Sequence, residues 1–255
     1  MLRIGLALIL VGSAGAALAA DAKPAVGVAV AGVGGVTPGG AVVYLPAKDG
    51  GIEAVELATG KAVWANTDAG LLIGATDELV VGRVAGKGKP NGFRVVLIDA
   101  ATGKTAATTE TVGLPEWARA TGAAGQGWNF AAAARPEKGE LAVVWKADAF
   151  YYGGAAPTQE ILDAARKTAA GRVAIDPATG KITRTTDHKL AADDLATSPD
   201  VGGAAKAAGF TFAVEQTGFG RPPDFMTKRT LAVSRDGNPL WKRELAGVLR
   251  LPPPP

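Results

Sequence analysis

The side chains that could perform acid–base chemistry are few in this 255-residue chain. His188 is the single histidine, and it stands in a polar stretch between Asp187 and Lys189. A single histidine cannot form a metal site that needs several histidine ligands. The residues around His188 do not form a pattern typical of a general base. The sequence therefore predicts that His188 is a solvated surface side chain.

Carboxylates and thiols offer no stronger site. Asp193 and Asp194 are adjacent and could bind a cation, but neighbouring side chains in a strand or loop point apart, which favours two solvated charges. The chain has no cysteine, which excludes thiol catalysis, cysteine-based zinc sites and disulfide bonds. We predict no catalytic residue, no metal ligand and no cofactor.

Two aromatic segments are the candidates for partner binding. Tyr151 and Tyr152 precede two glycines, a pattern typical of a loop that approaches a ligand or another backbone closely; the alternative is a bend leading into a helix. Arg221 and Phe225 belong to a glycine- and proline-rich stretch at 218–225, and arginine and aromatic residues are enriched at binding surfaces. The alternative there is an ordinary hairpin connection. We expect a protein partner or a small ligand at these segments.

Charge and glycine patterns argue against nucleic acids and nucleotides. The 27 basic and 24 acidic residues leave a net charge of +3, and the basic residues are scattered rather than gathered in a stripe. Glycine-rich stretches at 32–35 and 86–88 are not followed by a helical pattern, which a phosphate-binding loop requires.

An internal repeat defines the elements that carry these segments. Residues 51–64, 93–104, 171–181 and 230–241 each read as a strand, a polar turn and a second strand, and three of them contain Thr-Gly-Lys. The turn aspartate can accept hydrogen bonds from backbone N–H groups, and the glycine can adopt the positive φ that a tight hairpin needs. The repeated structural positions are Gly60, Trp64, Gly103, Gly180, Gly237 and Trp241, with each tryptophan four residues after its glycine and expected to pack between neighbouring sheets.

The spacing of the turn glycines predicts the architecture. They lie 43, 77 and 57 residues apart, and a period near 40 is typical of a four-stranded propeller blade. The interval of 77 residues is one blade with a long insertion or two blades. With further strands predicted at 71–75, 79–84, 128–134, 140–150 and 210–216, we expect an all-β fold: a small or partial β-propeller of fourteen to sixteen strands in four or five blades.

Several segments flank or interrupt this pattern. An inserted helix is predicted near 157–170, packed on the outside of a sheet or docking a partner, and a long surface loop is predicted at 187–208. Residues 21–40 form a linker or a strand that closes a ring with the C-terminal blade, residues 41–251 form the propeller domain, and prolines 252–255 form a short tail.

The first twenty residues have the layout of a secretory signal peptide. Arg3 precedes an apolar run at 4–11, and Ala17 and Ala19 fit the small residues of a cleavage site. Cleavage there starts the mature chain near Asp21. We therefore expect a periplasmic or secreted protein without a lipid-bearing cysteine or a later membrane span.

These repeats resemble those of the pyrroloquinoline-quinone-like β-propellers, in which Ala-x-Asp-x-x-Thr-Gly-Lys-x-x-Trp recurs once per blade. Residues 54–64 read Ala-Val-Glu-Leu-Ala-Thr-Gly-Lys-Ala-Val-Trp, residues 97–104 and 173–181 match the first half, and Trp241 restores the tryptophan. The resemblance implies that the turn and the tryptophan dock neighbouring blades. The enzymes of this family use the quinone, a calcium ion, an aspartate base and adjacent cysteines. The outer-membrane assembly lipoproteins of the family instead bind partners by strand addition or loop contacts.

The sequence thus favours an exported, non-catalytic binding or scaffold protein built from these repeats. Two alternatives stay open. One is a reduced quinoprotein-type dehydrogenase that binds pyrroloquinoline quinone, and the other is a chain that supplies blades to a propeller of several chains.

Overall fold

The fold is described from a computed structural model, which covers residues 27–30, 34–86, 91–118, 128–149, 158–159, 163, 166–191, 193–196, 198, 205–219, 226–245 and 249–250. These residues form nineteen β-strands arranged in four antiparallel sheets. The all-β class predicted from the sequence is confirmed.

Each sheet is a meander of strands that follow one another along the chain. The first sheet contains β1 (Val28–Val30), β2 (Gly34–Val36), β3 (Val42–Pro46), β4 (Ile52–Glu56) and β5 (Ala62–Asn66). The second contains β6 (Leu71–Ala75), β7 (Leu79–Ala85), β8 (Gly92–Asp99), β9 (Thr105–Thr108) and β10 (Val112–Gly113), with β9 and β10 both paired to β8. The third contains β11 (Trp128–Glu137), β12 (Glu140–Ala149), β13 (Thr168–Ile175) and β14 (Ile182–Asp187). The fourth contains β15 (Lys206–Ala207), β16 (Phe210–Phe219), β17 (Met226–Arg235), β18 (Asn238–Glu244) and β19 (Leu249–Arg250), the last paired to β17.

Alternation of side chains along the strands gives each sheet two faces. On β12, Leu141, Val143 and Trp145 pack against the second sheet, whereas Ala142 and Val144 occupy the opposite face. The last strand of the third sheet, β14, is exposed along most of its length.

Hydrophobic clusters show how the sheets are stacked. One cluster joins the fourth sheet to the first, through residues such as Phe212 and Val55. A second joins the first sheet to the second, and a third joins the second to the third. Among the described residues, no cluster, hydrogen bond or ion pair joins the third sheet to the fourth. Within the part of the chain that the structure describes, the sheets therefore lie in the order fourth, first, second, third, with the fourth and the third sheets at the two ends.

The structure resolves the long interval between Gly103 and Gly180. Its described strands are β9 and β10, which complete the second sheet, and then β11, β12 and β13 of the third, so the interval adds one sheet rather than two. The number of sheets, four, lies within the predicted range of four or five blades. The nineteen strands of the described residues exceed the predicted fourteen to sixteen, because short edge strands such as β10 leave no periodic pattern in the sequence.

Three predicted segments differ from the structure. The strands β1 and β2 pair within the first sheet, at its inner edge, rather than with the C-terminal sheet. The helix predicted near 157–170 is wrong at its C-terminal end, because Thr168 to Ala170 begin strand β13. The surface loop predicted at 187–208 is interrupted by the strand β15 and by buried residues described below. Residues 1–26 and 251–255 lie outside the described part of the chain, in which no helix is long and apolar enough to cross a membrane.

Candidate functional site

The junctions between sheets are built from the repeated turn and the tryptophan that follows it. Gly103 has φ +71°, and a Cβ placed on it would lie 2.5 to 2.8 Å from atoms of the Trp64 ring. The indole Nε1 of Trp64 donates a hydrogen bond of 2.9 Å to the carbonyl of Ala100, the first residue of the same turn. Trp64 of the first sheet therefore seats on the turn of the second sheet, where only glycine leaves room for the ring.

The same contact joins the fourth sheet to the first. Trp241 seats on Gly60, and its Nε1 donates to the carbonyl of Leu57 at 2.8 Å. Two residues further on, Arg243 crosses to Glu53 of the first sheet, with Nε to Oε1 at 2.8 Å and Nη2 to Oε2 at 2.5 Å. Because the Glu53 side chain is only 10% exposed, this two-pronged ion pair is a largely desolvated part of the junction.

A smaller side chain makes the equivalent contact at the third junction. Ala107, four residues after Gly103, lies where a Cβ on Gly180 would approach it to 2.7 Å. At the open end of the fourth sheet the equivalent Gly237 has φ +81°, but no atom of the described residues lies within 4 Å of its Cβ position. The junction contact is thus made three times and is absent at the described ends of the series.

The face of the third sheet that points away from the second carries a network of ion pairs. Arg135 bonds Glu137 at 2.8 Å and Asp194 at 2.7 Å, and Arg172 also bonds Glu137. His188 Nε2 lies 2.7 Å from the second carboxylate oxygen of Asp194. The segment that follows β14 is therefore held against this face.

The pKa shifts in this network have a clear cause. Burial alone raises the pKa of the Asp194 carboxyl, but hydrogen bonds from the Ala191 amide, His188 and Arg135 outweigh it and leave that pKa below its ordinary value. Burial opposes ionisation of Glu137 as well, and the bonds from Arg135 and Arg172 again bring its pKa down. Both carboxylates are held in the charged form, which stabilises the face.

Two predictions about this region are wrong. His188 is not a solvated side chain, because it is mostly buried against Asp194. Asp194 is not a solvated charge either, since it is 5% exposed, although its neighbour Asp193 is exposed and the two do point apart. No local sequence pattern indicates this arrangement, because the arginine that holds Asp194 lies 59 residues earlier in the chain.

A cleft of about 390 Å³ opens between the turns of the second and third sheets, and we name it the turn cleft. Its apolar surface comes from leucine and proline side chains, and its rim carries three carboxylates. The lining residues are Thr76, Asp77, Glu78, Leu79, Pro136, Gly139, Glu140, Leu141 and Pro177.

The rim of the turn cleft is built on stiff turns. The hydroxyl oxygen of Thr76 accepts hydrogen bonds from the backbone amides of Glu78 at 3.3 Å and Leu79 at 2.9 Å. The Asp77 carboxylate accepts one from the Gly39 amide of the first sheet at 3.2 Å. Burial, with a smaller contribution from the nearby Asp77 charge, raises the pKa of Tyr44 to about 12, so this tyrosine stays neutral beneath the rim.

The predicted partner-binding residues Tyr151, Tyr152, Arg221 and Phe225 lie outside the described residues and stay predictions. None of the turn-cleft residues was singled out from the sequence. The one available signal was the pair Asp77 and Glu78 directly before a strand, which by itself is an ordinary polar turn. Among the residues that the structure describes, no group of three or more histidine and acidic side chains is arranged to hold a metal ion.

No family model matches the chain, and no curated protein is significantly similar to it. Two similar solved structures are dehydrogenases. A quinohemoprotein alcohol dehydrogenase from Pseudomonas putida HK5 is 14% identical, with 82% of this chain covering 34% of that one at a TM-score of 0.33. A europium-containing methanol dehydrogenase is 11% identical, with 83% of this chain covering 61% of that one at a TM-score of 0.24. This chain thus spans about a third of the length of the first and less than two thirds of the second.

The described cavities do not fit pyrroloquinoline quinone, a flat quinone that carries three carboxylates. The turn cleft presents carboxylates of its own and would repel it. A second cavity of about 350 Å³ on the third sheet has Lys138, Arg172 and Arg184 at its walls, but Glu137 and Glu140 pair with these arginines and no aromatic ring lines it.

Proposed function

We propose that this chain is an exported, non-catalytic binding protein, a partial β-propeller of four pyrroloquinoline-quinone-like blades that holds a basic segment of a partner protein in the turn cleft. The observation that carries the proposal is the cleft itself, a cavity of about 390 Å³ with an apolar floor and a rim of Asp77, Glu78 and Glu140.

The chemistry of the cleft matches a lysine or arginine side chain. Such a side chain buries its aliphatic stem against apolar surface and keeps its charged end near carboxylates. Leu79 and Leu141 supply that apolar surface, and Glu78 and Glu140 supply charge at its edge. The chain already shows this pairing at the rim, where Arg184 Nη2 lies 3.4 Å from a carboxylate oxygen of Glu140.

The scaffold supports binding rather than reaction. The cleft lies on turns held by backbone hydrogen bonds and by Thr76, so a ligand meets a surface that is already ordered. Its carboxylates are placed to attract a cation, and rim charges of this kind chiefly set specificity and association rate.

A peptide titration tests the cleft. We expect the peptide acetyl-Leu-Arg-Leu-Lys-amide to shift the backbone amide NMR signals of Thr76, Glu78 and Leu141, and acetyl-Leu-Glu-Leu-Glu-amide to leave them in place. Glu78→Lys should weaken the basic peptide about fivefold, the ratio given by ~1 kcal/mol of rim ion pairing. Glu110→Lys, an exposed carboxylate outside the cleft, is the matched control and should leave the affinity unchanged. Equal shifts with both peptides, or shifts confined to other residues, would refute the proposal.

Export is a separate part of the proposal and rests on the pattern of the first twenty residues. Expression of the full chain in a bacterium with a secretion system should yield a mature protein in the periplasm or medium whose N-terminus is near Asp21. A product that keeps Met1 and stays in the cytoplasm would contradict it.

A further inference from the structure

One contact is repeated at three sheet junctions, and it has a direction. The residue four positions after a turn glycine, on the outer strand of one sheet, seats on the turn glycine of the next sheet. The pairs are Trp241 on Gly60, Trp64 on Gly103 and Ala107 on Gly180. Each sheet therefore offers one seated side chain and one receiving turn.

At each end of the series one half of this contact has no counterpart among the described residues. The third sheet has a seated position without a receiving turn, and the fourth sheet has a receiving turn without a seated side chain; we call these two the unused halves. In the third sheet the seated position is Arg184, which pairs with Ala174 as Trp64 pairs with Ala54, and so lies on the face away from the second sheet. Its side chain is 61% exposed. In the fourth sheet the receiving turn is Asp236 and Gly237, where the Asp236 side chain is 87% exposed.

The unused halves are complementary in charge. Of the four seated positions Arg184 alone is charged, and of the four residues that precede a turn glycine Asp236 alone is acidic, the others being threonine. Arg184 is held loosely, with 3.4 Å between Nη2 and Glu140. Asp236 likewise has a distant cation, Arg235, at 4.0 Å.

We infer that a second copy of this chain docks end to end with the first, with Arg184 of one copy pairing with Asp236 on the open turn of the other. The geometry of the open turn supports an arginine there. The open turn has two residues between its paired strands, whereas the turn beneath Trp64 has four. The open turn therefore lacks the backbone surface that an indole ring covers. A guanidinium has five N–H donors and can bond a carboxylate with two of them, which suits a short turn that carries Asp236.

Within one molecule, Arg184 and the open turn at Asp236 lie at opposite ends of the series of sheets. Arg184 contacts Glu140 of its own sheet, and nothing in the described part of the chain lies within 4 Å of the Gly237 Cβ position. Because the contact joins unlike surfaces, copies associate head to tail, and the assembly closes into a ring or grows, depending on the angle between copies.

Charge exchange tests the pairing. We expect light scattering at increasing concentration to give a mass of two or more copies. Arg184→Asp and Asp236→Arg should each weaken association at least about tenfold, and the double variant R184D/D236R should recover most of the loss, because opposite charges face each other again. Lys48→Glu, an exposed residue of the turn between β3 and β4, is the control and should not change the mass.

The absence of native cysteine gives a second readout. In the variant R184C/D236C, mild oxidation should produce covalent multimers, and mixing two copies of different length should produce the hybrid. A single-copy mass at all concentrations, a disulfide closed within one chain, or association that survives both charge reversals would each overturn the inference. Association is read from the mass of the assembly and the turn cleft from peptide binding by the unaltered chain, so failure here is distinguishable from failure of the turn cleft.

Discussion

Replacing Gly103 by alanine should destabilise the protein through two effects that can be separated. The first is backbone strain, since a residue with a Cβ pays about 1–2 kcal/mol to hold the left-handed conformation seen at φ +71°. The second is a collision, because the new methyl would lie 2.5 Å from Trp64 Cδ2 and 2.6 Å from Cγ. Overpacking of this kind costs about 1–3 kcal/mol.

The matched control is Gly237→Ala. Gly237 has φ +81°, so its substitution carries the same kind of strain, but no atom lies within 4 Å of its Cβ position. We therefore expect Gly103→Ala to lower the free energy of unfolding by about 2–5 kcal/mol and Gly237→Ala by about 1–2 kcal/mol. The difference measures the junction contact.

Urea unfolding followed by circular dichroism gives both values, at a protein concentration low enough to exclude association and with unchanged m-values as the check on comparability. Gly209→Ala, with φ +79° and nothing within 4 Å, provides a second control. If Gly103→Ala and the two controls lowered the free energy of unfolding equally, the Trp64 ring would not be in close contact with the Gly103 turn, which would contradict the junction described above.

Three further predictions concern the rest of the molecule. Arg243→Ala should lower the free energy of unfolding in urea by about 3 kcal/mol, because it leaves the Glu53 carboxylate buried without its cation. Arg243→Lys should restore only part of that free energy. A loss below about 0.5 kcal/mol for Arg243→Ala would contradict the desolvated ion pair. Asp194→Asn should destabilise at pH 7, and its disadvantage should shrink below about pH 4, since a carboxyl whose folded pKa is lowered stabilises above its unfolded pKa and loses that contribution as pH falls through the folded value; a disadvantage independent of pH would rule this out. Pyrroloquinoline quinone added with Ca²⁺ should give no bound-quinone absorbance and no dye reduction with alcohols, and a stable new band would restore the dehydrogenase alternative.

Local features of the fold were readable from the sequence because they depend on residues close together in the chain. The turn at Asp99 is one example: its carboxylate bonds the amide and the hydroxyl of Thr102, and the Gly103 amide donates to the Asp99 carbonyl. The strands β6, β7 and β12 follow from the sequence nearly to their ends because each is a short run of mainly apolar residues bounded by turn residues.

Features that join distant residues could not be read in this way. The turn cleft combines Asp77 with Pro177, and the network of ion pairs on the outer face of the third sheet combines Arg135 with Asp194. Each of these residues is unremarkable among its own neighbours, so no local pattern distinguishes it from an exposed polar or turn residue.

The sequence by itself therefore determined the all-β class, the repeated turns and the positions of the junction glycines and tryptophans, since all of these follow from periodicity and backbone preference over a few residues. Only the tertiary structure decided that the long interval adds a single sheet, that the sheets run in the order fourth, first, second, third, and that His188 lies against the buried Asp194. Those outcomes depend on which faces of different sheets meet, and packing between faces is settled by side chains that are far apart along the chain.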